Sequence, residues 1–157
     1  MSHKVKSSEL SPDSRLQSYV AHGDFIDCFT VSSPMPARQA AEIIVDFPNW
    51  AQPLLRLRGL ITAPFGLSQD GPDAEDKLGP FPVEYTSDTE VIAGFNDKHL
   101  NFRVSVLAHH GQVSLATWVH THNIGGKCYL AAIMPFHILI ARNALARVAK
   151  ASRPVAA

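Results

Sequence analysis

Net charge is what this chain has least of. Its 157 residues carry 14 Lys and Arg against 14 Asp and Glu, and only 18% are charged. A zero balance removes the general electrostatic reason to bind nucleic acid, which rewards a basic surface. Cysteine is equally scarce. Cys28 and Cys128 cannot build a disulfide framework, and a domain of this length buries roughly two thirds of its unfolded surface without one. The opening MSHKVKSSELSPDSR lacks the apolar core of a secretory signal, and no N-x-[ST] sequon occurs. The longest apolar run, residues 128–141, contains Pro135 and His137 and falls short of the roughly 20 residues a bilayer crossing needs. G-x-S-x-G, P-loop and G-x-G-x-x-G motifs are all missing. The expectation is a cytoplasmic protein with no membrane span, no nucleic-acid partner and no cofactor implied.

What is present is a 46% hydrophobic content, enough for one core, and eight histidines, five of them from His99 to His122. The reading divides the chain into a flexible leader (1–21), a single domain (22–150) and a short flexible tail (151–157).

Residues 24–31 (DFIDCFTV) read as a strand with Phe25, Phe29 and Val31 on one side, although Asp27 falls there too. Ser32 to Pro36 supplies cap chemistry for a helix over 37–46, and Asn49 caps a second over 50–60, with Trp50 as a core anchor. Residues 64–80 form a Gly/Pro/Asp loop. Four strands follow over 82–86, 90–95, 98–107 and 112–121, separated by Ser87-Asp88-Thr89, Asn96-Asp97 and His109-His110-Gly111. A three-residue first turn places Val83 and Tyr85 with Val91 and Ala93. A two-residue second turn sets Phe102 against Val91 and Arg103 against Glu90. A turn at His110-Gly111 sets His99 against His122, and one at His109-His110 sets it against His120. Either way Leu100, Phe102, Val104, Val106, Val113, Leu115, Thr117 and Val119 share a core face. His99, Asn101, Arg103, Ser105, Trp118, His120 and His122 share the other. Residues 127–150 carry a helical apolar stripe, and Pro135 predicts a kink or a second segment.

The order strand, two helices, meander and long helix predicts an α+β domain whose curved antiparallel sheet of five or six strands wraps the last helix. It resembles the helix-grip fold of the START-like superfamily. Four stretches carry a closer resemblance, to an uncharacterised bacterial family with an SRPBCC-like assignment. These are residues 55–60 with Phe65-Gly66-Leu67, Gly79-Pro80-Phe81, DKHLNFRVSV at 97–106, and Pro135-Phe136-His137, within roughly residues 24–149. The superfamily resemblance implies a cavity between sheet and helix that takes apolar small molecules. It supplies no activity.

Under that expectation Phe102, Val104, Thr117, Val119, Met134 and His137 line the cavity around a small apolar or amphipathic molecule. His137 is expected as a core-edge histidine bonded to a backbone carbonyl or to the Thr117 or Thr121 hydroxyl, and otherwise as a general base or a hydrogen-bond partner of the ligand. An alternative is a cyclase- or hydratase-type enzyme in which Arg103 or His99 assists His137. Another is a homodimer or protein-interaction module using Trp118 and the histidines of the outer face. The second sheet face is expected to be polar and solvated. A charge pair with Glu90 is favoured for Arg103 over a role as an anion clamp. His99, His120 and His122 have metal-ligand chemistry, but the nearby Arg103 cation argues against a metal. Cys128 is read as a small buried thiol.

Overall fold

A computed structural model describes residues 4–46, 49, 53, 76–78, 81–96 and 100–152. The helix expected over 50–60 with Trp50, most of the 64–80 loop, and His99 lie outside these residues. In chain order the strands are β1 (Lys6–Ser7), β2 (Phe25–Ser32), β3 (Lys77–Leu78), β4 (Phe81–Thr86), β5 (Glu90–Asn96), β6 (Leu100–His109) and β7 (Gln112–Thr121). Helix α1 (Ala37–Val45) follows β2, and helix α2 (Ile124–Ala151) follows β7. The strands make one antiparallel sheet in the order β1-β2-β7-β6-β5-β4-β3. This is the expected α+β helix-grip arrangement. Its edge strands β1 and β3 have two residues each, too few to show an alternating pattern.

The strand alternation sorts side chains as expected on the longest strands. On the inner face Phe29, Val31, Val91, Ala93, Val106, Val113 and Leu115 pack against Ala40, Ala41 and Ile44 of α1 and Ala144, Leu145 and Val148 of α2. Helix α2 runs continuously through Pro135, so no second segment begins there. Arg147 ties the two helices together by donating to the Ile43 and Asp46 carbonyls at the end of α1. The Ile43 carbonyl also accepts from the Asp46 N–H that caps α1, so Arg147 adds a second donor there.

Two registers differ from expectation. The turn at His110-Gly111 has positive φ at both residues (52° and 74°) and closes His109 against Gln112, which selects one of the two expected registers. Between β5 and β6, however, Phe102 faces Phe95 rather than Val91, and Arg103 faces Gly94 rather than Glu90. The displacement is even, so every side chain keeps its face while its neighbours change. The Phe95 and Phe102 rings meet edge to face at 4.8 Å, a contact the tighter turn would forgo. Between β4 and β5 the first hairpin pairs Thr86 with Val91 and Tyr85 with Ile92, then recovers Val83 opposite Ala93 through a bulge. The bulge removes Tyr85 from the expected row with Val91.

A further departure concerns residues 4–21, which fall within the expected leader (1–21). They carry β1 at the sheet edge and a 3-10 turn (Arg15–Ser18), and Leu10, Leu16, Tyr19 and Val20 pack on the outer face of the sheet. Leu16 is fully buried there and packs in a second cluster with Cys28, Ala116 and Trp118. That face is therefore covered at its centre rather than solvated. Alternating polar residues hid this, because the covering segment satisfies them with hydrogen bonds instead of water.

Candidate functional site

Alternation along β2 turns Phe25, Asp27, Phe29 and Val31 to the inner side, which sets a carboxylate among apolar residues. Such a group must find a partner or a proton. Asp27 finds His137 on α2, whose Nε2 lies 2.9 Å from its Oδ2. Phe25 meets the imidazole edge-on at 6.5 Å. The other carboxylate oxygen, Oδ1, is buried and has no hydrogen-bond partner among the described residues.

The sheet lays two cross-strand rows beside this pair. One runs Phe25, Val119, Phe102 and Phe95; the next runs Asp27, Thr117, Val104 and Ala93. Four of the residues expected to line a cavity, Phe102, Val104, Thr117 and Val119, are thus adjacent to one another and to Asp27. Phe102 also packs edge to face against Phe81 at 5.4 Å. Met134 is half-buried and lies about one helical turn before His137. Neither Thr117 nor Thr121 is the partner of His137. The residue missed was Asp27, whose place on the apolar side of its strand was itself the signal.

Chemically, an ionised carboxylate accepts from the Nε2–H of a neutral imidazole and fixes its tautomer, leaving Nδ1 as an acceptor. The same carboxylate then has one oxygen open to a second donor. The arrangement orients an imidazole and offers a buried anionic acceptor a few ångströms away.

The polar residues of the outer face do different work. Arg103 is buried and gives its Nε to Glu84, its Nη1 to the Phe102 carbonyl at 2.7 Å and its Nη2 to Asn96 at 3.0 Å. Its expected pairing with Glu90 is not formed, since the register sets the two far apart along the strands. Glu90, only 3% exposed, instead accepts from the Ser14 and Ser105 hydroxyls and from the Arg15 backbone N–H at 2.8 Å. These contacts fasten the N-terminal segment to the sheet. Arg103 lies on the opposite side of the sheet from His137 and cannot assist it.

Trp118, expected on an open interaction face, is buried against Tyr19 with ring centroids 5.5 Å apart. Its indole donates to Asp24 Oδ2, and His120 lies 2.6 Å from Asp24 Oδ1. Burial alone would raise the Asp24 carboxyl pKa; the hydrogen bonds from His120, the Ala21 N–H and Trp118 outweigh it and hold the group below the ordinary carboxylate value. His122 bonds Asn101. Among the described residues no three His, Cys, Asp or Glu side chains gather as a metal set, and His99 lies outside them. Cys128 is exposed, not buried as expected, while Cys28 is buried and its thiol is pushed up chiefly by that burial.

No curated protein and no solved structure matches the chain. Residues 20–144 match the family described as Protein of unknown function (DUF2867), and the chain belongs to that family.

Proposed function

We propose that this domain holds a small amphipathic molecule between the inner sheet face and α2. Its apolar body lies against Phe102, Val104, Val119 and Met134, and a hydroxyl or amine at one end donates to Asp27. The observation that carries the reading is the buried Oδ1 of Asp27, partnerless among the described residues. An unmet buried acceptor costs about 1–3 kcal/mol, a cost a ligand donor offsets. Native mass spectrometry of protein purified from its own host tests this. The expected result is a retained small molecule with wild type and none with Asp27→Ala. Wild-type protein free of any bound molecule overturns the reading.

The same pair favours a second reading, an enzyme of cyclase or hydratase type in which His137 moves a proton under the control of Asp27. Arg103, on the other face, takes no part in that chemistry. It predicts that His137→Ala abolishes turnover of a bound substrate while the melting temperature stays near wild type. Unchanged turnover sinks it.

A further inference from the structure

Helix α2 has two halves of opposite burial. From Ala141 onward it gives Ala141, Ala144, Leu145, Val148 and Ala149 to the core. Before that point only Gly126 is buried. Ile124, Cys128, Ala131, Pro135, Ile138 and Leu139 are all exposed, and their spacing of three and four residues makes one stripe along the helix. From Ile124 to Leu139 it is about 22 Å long at the rise of an α-helix. Ile124 is 77% exposed, Leu139 54%, and Phe136 on its flank 42%. A contiguous apolar stripe of this length marks an interaction surface. The whole helix is also long and apolar enough to cross a membrane by length and composition. Its C-terminal half fills the protein's own core, so what remains for a membrane is the exposed stripe.

Charge selects the occupant. Helix α2 contains no Asp or Glu, and its ionised side chains are Lys127, Arg142, Arg147 and Lys150. Lys127 and Arg142 are exposed, one near each end of the stripe. Arg142 places one N–H on the Val5 carbonyl and has further donors for another anion. A second copy laid antiparallel on the stripe would bring Lys127 against Arg142 with no carboxylate in either helix to separate them. Anionic headgroups above acyl chains satisfy both features at once. We infer that the N-terminal half of α2 docks this domain on an anionic lipid surface, with the helix lying in the plane of the interface. The inference stands apart from the ligand reading and does not require it.

The test is co-sedimentation of the full chain with vesicles of phosphatidylcholine and phosphatidylserine, and with vesicles of phosphatidylcholine alone. Wild type is expected to sediment with the anionic vesicles, and added salt is expected to release it. Leu139→Glu should weaken that binding about tenfold or more by placing a charge in the buried face. Ile124→Glu should act alike, and an acidic residue at the helix N-terminus protects its folding. Circular dichroism melts of both variants should match wild type. Absence of sedimentation with anionic vesicles overturns the inference, as does binding that both variants leave unchanged. A dimer in sedimentation velocity that Leu139→Glu dissolves, without vesicle binding, assigns the stripe to a second copy and also overturns it.

Discussion

The Nε2 of His137 lies 2.9 Å from the Oδ2 of Asp27, a bond between α2 and β2 that spans 110 positions of sequence. It joins a long helix to the inner face of the sheet at a place where the neighbouring residues are Phe25, Thr117 and Val119. The pair uses one carboxylate oxygen, and the other, Oδ1, is buried with no partner among the described residues.

Asp27→Asn is therefore expected to be neutral or stabilising, by up to about 1 kcal/mol, because it removes a buried charge that is only half satisfied. Urea denaturation measures this. A loss beyond about 2 kcal/mol would show that the pair holds the fold together instead.

Glu90 behaves oppositely. Its carboxylate accepts from Ser14, Arg15 and Ser105, and it is almost wholly buried. Glu90→Ala should cost roughly 2 kcal/mol or more, since it strips a charged acceptor from buried donors. It should also expose residues 8–20 to limited proteolysis, while wild type resists cleavage there.

Asp24 gives the fold an acid dependence. Its carboxyl pKa is lower folded than unfolded, so its contribution is present above the unfolded carboxylate range and is lost as pH falls through the folded value. The stability gap between wild type and Asp24→Asn should be widest near neutral pH and should close as the medium is acidified below about pH 4. Urea midpoints across that range will show it; a gap independent of pH contradicts the assignment.

Gly94→Ala should be among the most damaging single changes. Gly94 has φ +142° and sits opposite Arg103, and an added Cβ would run into the Phe102 carbonyl. A loss of about 3 kcal/mol or more is expected from backbone strain and steric conflict together. Thermal melts decide it.

The two thiols should separate cleanly in a native alkylation experiment. Exposed Cys128 should take one maleimide per chain, and buried Cys28 should react only on unfolding. Two fast equivalents in the folded protein would contradict the burial of Cys28.

Much of this architecture was legible in the order of residues because it depends on local periodicity. Alternation along 112–121 and the helical repeat before Lys150 named their elements without any knowledge of neighbours. The turn before β7 was narrowed to two choices of equal parity, and only the fold selects His110-Gly111. The pairing of β5 with β6 was not legible, since an even shift leaves the pattern of faces intact and only packing of Phe95 on Phe102 distinguishes the registers. His137 was singled out by its place on the apolar stripe, but its partner lies on a strand near the other end of the chain.

Net charge, the feature in shortest supply, is set by composition and nothing else. Where those charges stand was decided by tertiary structure. Glu90 and Arg103 read as a surface pair, and each is buried with different partners, because the segment carrying Ser14, Leu16 and Tyr19 folds back over the outer face. A segment with no strong periodicity gives no signal of its own; its position comes from Leu16 finding Trp118 and from Ser14 finding Glu90. Sequence determined which residues prefer which face, through spacing alone. Only the folded chain determined which of those faces met water, because burial depends on what distant segments come to lie upon it.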